Sequence, residues 1–240
     1  DLNMPQGVTQ ISRETYDLHM QILWWCVAIG VIVFGVMLWS IINHRKSKGA
    51  VSATFHESTK VEIVWTIIPF IILILMAIPA TRVLTQAYDA SESDLDIQVI
   101  GYQWRWEYRY LRQDSLEEEV SFFSSLSTSR EQINNQLPKE ESYLLEVDNP
   151  LVIPINKKVR FLVTSNDVIH AWWVPDFAVK KDAIPGFINE IWAIVEEPGV
   201  YRGQCAELCG IEHGFMPIVV HAVPQDEYDA WYAGRQEQAA

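Results

Sequence analysis

MQILWWCVAIGVIVFGVMLWSII, residues 20–42, is a run of 23 side chains without a charge, and IVWTIIPFIILILMAIPAT, residues 63–81, is a second run of 19. As helices, both are long enough to cross the roughly 30 Å hydrocarbon core of a bilayer. The competing reading is a helix buried in a soluble core. It fares worse because the two runs lie close together and each exceeds ordinary core-helix length. We therefore read two transmembrane helices, at 20–42 and 63–83. Pro69 and Pro79 are tolerated inside a membrane helix and can kink it. The connecting loop, 43–62, carries Arg45, Lys46, Lys48 and Lys60. A short loop rich in Lys and Arg stays on the cytoplasmic side, so both termini face outward, the N-terminal segment 1–19 included. An exported N-terminus that starts with Asp points to a removed signal peptide.

Beyond the second helix the chain changes character. Residues 1–81 hold five basic and five acidic side chains, whereas residues 82–240 hold 13 basic and 26 acidic ones, so the whole net charge of −13 lies on the outer part. That balance excludes wrapping a nucleic acid backbone and favours a cationic partner. Eleven Gly, eleven Pro and 20% charged residues exclude collagen-like, low-complexity and disordered classes. Three Cys are too few for a disulfide framework, and none lies in a Cys-x-x-Cys-His haem-attachment sequence.

After a linker at 84–95, short apolar runs at 96–100, 143–147, 151–155, 158–164, 190–195, 200–204 and 217–223 read as strands, punctuated by Asn149-Pro150, Pro185-Gly186 and Pro198-Gly199. Many short strands at this spacing favour a β-sandwich or barrel over 96–224. The tail, 225–240, opens with a short helix at 225–236. Tyr102, Trp104, Trp106, Tyr108 and Tyr110 fall on alternate positions, which predicts one strand with a wholly aromatic face. Residues 113–139, acidic and Ser-rich with Glu117, Glu118 and Glu119, read as a long exposed insertion.

The chemistry concentrates in GQCAELCGIEHGFMP, residues 203–217. Cys209, His213 and Met216 alone match the one-turn loop of a single-copper electron-transfer site, with a thiolate, an imidazole and a weak thioether. A second imidazole has to come from elsewhere. His170, placed at a strand end about 35 residues upstream, is the natural donor, and His221 on the next strand is the weaker one. Cys205 is surplus to one metal, and two bridging sulfurs point to two. Soft thiolates, imidazoles and a thioether select copper over hard cations, and the Cys-x₃-Cys spacing departs from zinc modules. A disulfide between Cys205 and Cys209 is the alternative in an oxidising compartment. Cys26, inside the first apolar run, reads as packing or lipid-facing.

GYQWRW at 101–106, LEVDN at 145–149, DVIH at 167–170, DAIPG at 182–186 and GQCAELCG at 203–210 through Met216-Pro217, behind two spans, make the chain resemble subunit II of the haem-copper cytochrome c oxidases over nearly its whole length. The resemblance implies a transmembrane hairpin followed by an all-β, cupredoxin-like Greek-key barrel that holds a dinuclear copper A centre. Carried onto this sequence, the ligands would be Cys205, Cys209, His170, His213, Met216 and the backbone carbonyl of Glu207. The Glu207 carboxylate would also ligate a magnesium ion shared with the catalytic subunit, as suits a hard cation. Trp104 would be the electron entry point, and Glu146, Asp148 and Asp167 would dock a basic cytochrome c. Glu62 would lie near the mouth of a proton path. For each of these residues there is also a plain reading, a core tryptophan or solvated acids.

The resemblance further implies subunits I and III as partners, haems and a further copper in the catalytic subunit, and a bacterial inner membrane with the copper domain outside. No fused haem domain follows Trp231, which makes the expected donor a separate cytochrome. Two other functions compete. A quinol-oxidising relative would lack the metal ligands, and a membrane-tethered copper chaperone would need neither the second span nor the aromatic strand.

Overall fold

The computed structural model describes residues 3–54, 56–112 and 118–239. It divides into two compact units, Glu14–Leu84 on one side and Asp1–Arg13 with Thr85–Ala240 on the other. The first unit is built from helices α1 (Gln10–Asn43) and α2 (Thr59–Tyr88). Both outrun the apolar stretches read from the sequence, because polar flanks such as SRETYD continue the helix after the hydropathy signal has stopped. At 34 residues α1 is about 51 Å long, more than the hydrocarbon core requires. Its start is fixed by a reciprocal cap: the Ser12 N–H donates to Thr9 Oγ1 at 3.0 Å and the Thr9 N–H donates to Ser12 Oγ at 3.0 Å. Glu62 lies in the first turn of α2, where a carboxylate complements the helix dipole. Pro69 and Pro79 are carried inside that helix. None of the apolar window of either helix is buried, the expected state for side chains whose solvent is lipid.

The second unit is a sandwich of two five-stranded sheets. In chain order the strands are β1 (Leu95–Tyr102), β2 (Arg105–Leu111), β3 (Glu118–Ser124), β4 (Leu151–Pro154), β5 (Lys158–Ser165), β6 (His170–Val174), β7 (Val179–Ala183), β8 (Asn189–Ile194), β9 (Gly199–Cys205) and β10 (Pro217–Val223). One sheet runs β3-β2-β1-β5-β8 and the other β4-β10-β9-β6-β7. Strand β5 shows why the pattern folds: in KVRFLVTS the alternate residues Val159, Phe161, Val163 and Ser165 are buried. Between the sheets lie Ile97, Val99, Trp106, Tyr108, Phe161, Trp172 and Ile218. The C-terminal helix α4 (Gln225–Ala239) caps one end, with Trp231 and Tyr232 against Tyr110 at ring separations of 5.3 and 5.8 Å.

Four local readings change. The aromatic face is not one strand, because the chain reverses at Gln103-Trp104 and pairs Tyr102 with Arg105. Only Trp106, Tyr108 and Tyr110 share the buried face of β2, and Trp104 stands in the turn. The run at 143–147 is a series of turns that, among the described residues, pairs only through the bridge of Leu126 to Val147. The described part of 113–139 is ordered: β3 pairs with β2, burying Val120, and α3 (Arg130–Ile133) comes next, its N-terminus capped by Ser129. Residues 113–117, Glu117 among them, lie outside the described residues. Finally β6 and β7 escape the sequence reading, and His170 opens β6, so it stands at the start of a strand.

Candidate metal centre

Strand β9 ends at Cys205 and its antiparallel neighbour β10 begins at Pro217, so the loop 206–216 is held at both ends by one ladder, in which Gln204 pairs with Pro217. On the other side of β9 lies β6, with Trp172 opposite Cys205. The Ala206 N–H donates to the Ala171 carbonyl at 3.0 Å and extends that pairing toward His170. Two residues 35 positions apart are thereby brought to the same end of the sheet. Inside the loop a short turn, His213–Phe215, folds His213 and Met216 back over the cysteines, with the Phe215 N–H donating to the Glu212 carbonyl at 2.8 Å.

The donor atoms converge. Cys205 Sγ lies 3.9 Å from Cys209 Sγ, 3.9 Å from His170 Nδ1 and 3.3 Å from the Glu207 carbonyl oxygen. Cys209 Sγ lies 3.5 Å from His213 Nδ1 and 3.5 Å from Met216 Sδ. Both cysteines are free thiols. His170, Cys205, Cys209 and Met216 are buried and His213 is partly exposed. His221 lies in the middle of β10, opposite Val200, and is not part of this convergence.

The orientation of His170 is set from behind. Its Nε2 faces Asp167 Oδ1 at 2.9 Å, which leaves Nδ1 turned toward the sulfurs. A carboxylate behind an imidazole is how metal-ligating histidines are commonly held. The Trp106 ring stands edge-on to His170 at 5.9 Å, and its Nε1–H donates to the Met216 carbonyl at 3.3 Å. Gly101 on β1 completes the seat, because a Cβ there would stand 2.7 Å from His170 Cδ2.

Charge follows geometry. Burial opposes ionisation of Cys205, but hydrogen bonding to His170 and to the backbone at Ala171 and Glu207 outweighs it and holds the thiol below its ordinary pKa. Burial, then the neighbouring charge of Cys205, pushes Cys209 up to about 12. Burial likewise works against a charged His170, and the contacts with Cys205 and Asp167 more than offset it, raising its pKa. Asp167 is lowered, its partial burial being outweighed by hydrogen bonds from His170 and from the Val168 and Gln103 N–H groups.

Two sulfurs, two imidazoles, a thioether and a carbonyl within this space form a soft donor set that fits copper and suits neither magnesium nor calcium. The other predicted residues lie around it. Trp104 is half-buried, and its Nε1–H donates to the Cys209 carbonyl at 3.3 Å. Glu207 is exposed, with its carbonyl rather than its carboxylate on Cys205. Glu146 pairs with Arg202, whose Nε donates to it at 3.1 Å, and Asp148 accepts from the Ser125 N–H at 2.7 Å. Glu62 belongs to the helical unit. Sequence reasoning missed the roles of Gln103, Trp106 and Gly101. Their only signal was that they lie in the 101–106 motif.

Fold and donor set together define a membrane-anchored, cupredoxin-like domain with a sulfur-rich donor cluster compatible with copper. Residues 95–223 match the family model for the periplasmic domain of cytochrome c oxidase subunit II, and residues 1–83 match the model for its transmembrane domain. A probable cytochrome c oxidase subunit 2 of Rickettsia felis is 43% identical over 229 residues, covering 95% of this chain and 70% of the relative. The cytochrome c oxidase subunit 2 of Arabidopsis thaliana is 38% identical over 238 residues, covering 98% of this chain and 89% of the relative. Among solved structures, the periplasmic domain of subunit II of cytochrome oxidase (CoxB) of Bradyrhizobium japonicum superimposes with a TM-score of 0.54 at 38% identity, covering 63% of this chain and 99% of that one. The chain belongs to the cytochrome c oxidase subunit II family. It is a subunit of an oxidoreductase, with a copper A-like domain outside the membrane.

Proposed function

We propose that this chain is the electron-entry subunit of a proton-pumping terminal oxidase, taking electrons from ferrocytochrome c and handing them to a haem-copper catalytic subunit that reduces O₂ to water. The observation that carries it is the convergence of Cys205, Cys209, His170, His213, Met216 and the Glu207 carbonyl inside a domain of this family. When bound there, a dinuclear copper A centre supplies a one-electron acceptor whose charge is shared over two ions. The chain's own residues supply the rest. Cys205 and Cys209 would hold the ions as thiolates, and Asp167 keeps the His170 tautomer that leaves Nδ1 free. Trp106 and Met216, both fully buried, shield the inner side of the cluster, while His213 stays partly exposed.

Trp104, half-buried and hydrogen-bonded to the backbone of a ligand, is the proposed entry point. The acidic surface would steer a basic cytochrome c. Of the docking acids, Asp148 is exposed, Asp167 is engaged by His170 and Gln103 with a partly exposed side chain, and Glu146 is shared with Arg202. The exposed Glu207 carboxylate would hold a magnesium ion at the junction with subunit I, Glu62 would stand at a proton-path entrance, subunit III would be a further partner, and both termini would lie on the outer side of a bacterial inner membrane. Metal analysis of the purified oxidase, with spin resonance of the subunit II centre, tests the reading. Two coppers per chain at this centre are expected, and a single copper, or zinc, would overturn it.

A further inference from the structure

The turn between β1 and β2 touches both halves of the metal centre through one residue. Gln103 Nε2 donates to the Cys209 carbonyl at 2.8 Å, and the Gln103 backbone N–H donates to Asp167 Oδ2 at 2.7 Å. Asp167 holds His170 through its other oxygen at 2.9 Å. Cys209 comes from the β9–β10 loop and His170 from β6, so the two ligands belong to separate segments that Gln103 links by three hydrogen bonds. The approach is built in on the other side as well. Gly210 adopts φ +122°, a backbone state other residues rarely take, and a Cβ there would come within 3.1 Å of both Gln103 Nε2 and the Trp104 ring. The missing side chain leaves the turn room to pack closely on the loop. Trp104 Nε1 shares the same carbonyl at a longer 3.3 Å, so Gln103 makes the closer bond to it.

We propose that Gln103 is a positioning residue of the metal centre, fixing the loop that carries Cys209 against the strand that carries His170. The proposal rests on the copper reading of that cluster for its consequence, but not for its geometry. The side-chain bond can be removed without the backbone one, so Gln103→Leu leaves the Cys209 carbonyl with the longer Trp104 bond alone while Asp167 stays held. Gln103→Glu keeps length and shape and sets a carboxylate oxygen against that carbonyl.

The test uses the full chain in detergent with Cys26→Ser, which leaves Cys205 and Cys209 as its thiols. In the copper-free chain, maleimide labelling of Cys209 should accelerate about fivefold in Gln103→Leu, on the scale of one lost hydrogen bond, and at least as much in Gln103→Glu. Trp104→Phe should give a smaller rise. In the copper-loaded oxidase, both Gln103 variants should retain copper but alter the hyperfine pattern of the centre, a signature that a role in cytochrome docking alone would not move. Unchanged labelling rates with an unchanged hyperfine pattern would overturn the proposal. If the parent chain takes up no copper, the functional reading fails, and the labelling rates still decide the role of Gln103.

Discussion

The helical unit and the sandwich both carry many large apolar side chains, the helical unit at the higher density, and use them in opposite ways. Phe34 in α1 is 61% exposed, whereas Phe161 in β5 is fully buried and packs against Trp172 with the rings tilted and 4.7 Å apart. In the sandwich, burial removes apolar area from water, and each such side chain stabilises the fold. Along α1 and α2 the same area faces outward, and what those helices satisfy internally is the backbone, one hydrogen bond per residue, as a bilayer requires. One sequence thus answers two solvents. Placement of apolar residues tells them apart: unbroken runs in the helices, alternation in the strands.

The contrast can be broken most directly at its extremes. Phe161→Ala should destabilise the sandwich by about 3–5 kcal/mol, through lost burial and the cavity left behind, whereas Phe34→Ala should leave the unfolding midpoint of that domain unchanged. Chemical denaturation followed by tryptophan fluorescence measures both, and equal shifts would erase the distinction. Ile74→Arg, near the middle of α2, should oppose membrane insertion by about 3 kcal/mol. A reporter of membrane insertion checks this, and undiminished insertion would remove α2 as a span. Within the sandwich, Asp167→Asn tests whether the charge behind His170 matters to the ligands. Copper affinity measured against a chelator should fall about 10- to 100-fold while the fold stays intact. The smallest effect is expected at the exposed pair of Arg130 and Glu212, 2.8 Å apart with side chains 65% and 28% exposed. Arg130→Ala should cost less than about 1 kcal/mol and nothing at high salt.

Some of the site is legible because chemistry and chain proximity coincide. Cys205, Cys209, His213 and Met216 lie within one loop, so their spacing alone marks a soft-metal centre. Asp167 reads as a surface acid, and only the fold turns it toward His170 Nε2. Trp104 reads as one tooth of an aromatic strand. Alternation of period two runs smoothly through 102–110, and nothing local marks the reversal that puts Trp104 in a turn against Cys209. Strands β6 and β7 escape notice for a related reason: HAWWV and VKKDA are short and bounded by an ordinary turn, and they become strands by pairing with each other, β6 also with β9. The run at 143–147 is the converse, strand-like side chains that among the described residues form no more than one bridge, from Val147 to Leu126.

The sequence by itself determined the two spans, the acidic outer domain, its β character and the set of soft donors. Those properties depend on side-chain type and on separations of a few residues, which the chain carries wherever it goes. Tertiary structure alone decided that His170 meets Cys205 across a gap of 35 residues, that Gly101 and Trp106 seat its ring, and that Gln103 ties Cys209 to Asp167. Such contacts arise from strand register between distant segments. Register is a property of the whole pair of sheets, fixed only when every strand has found its neighbour.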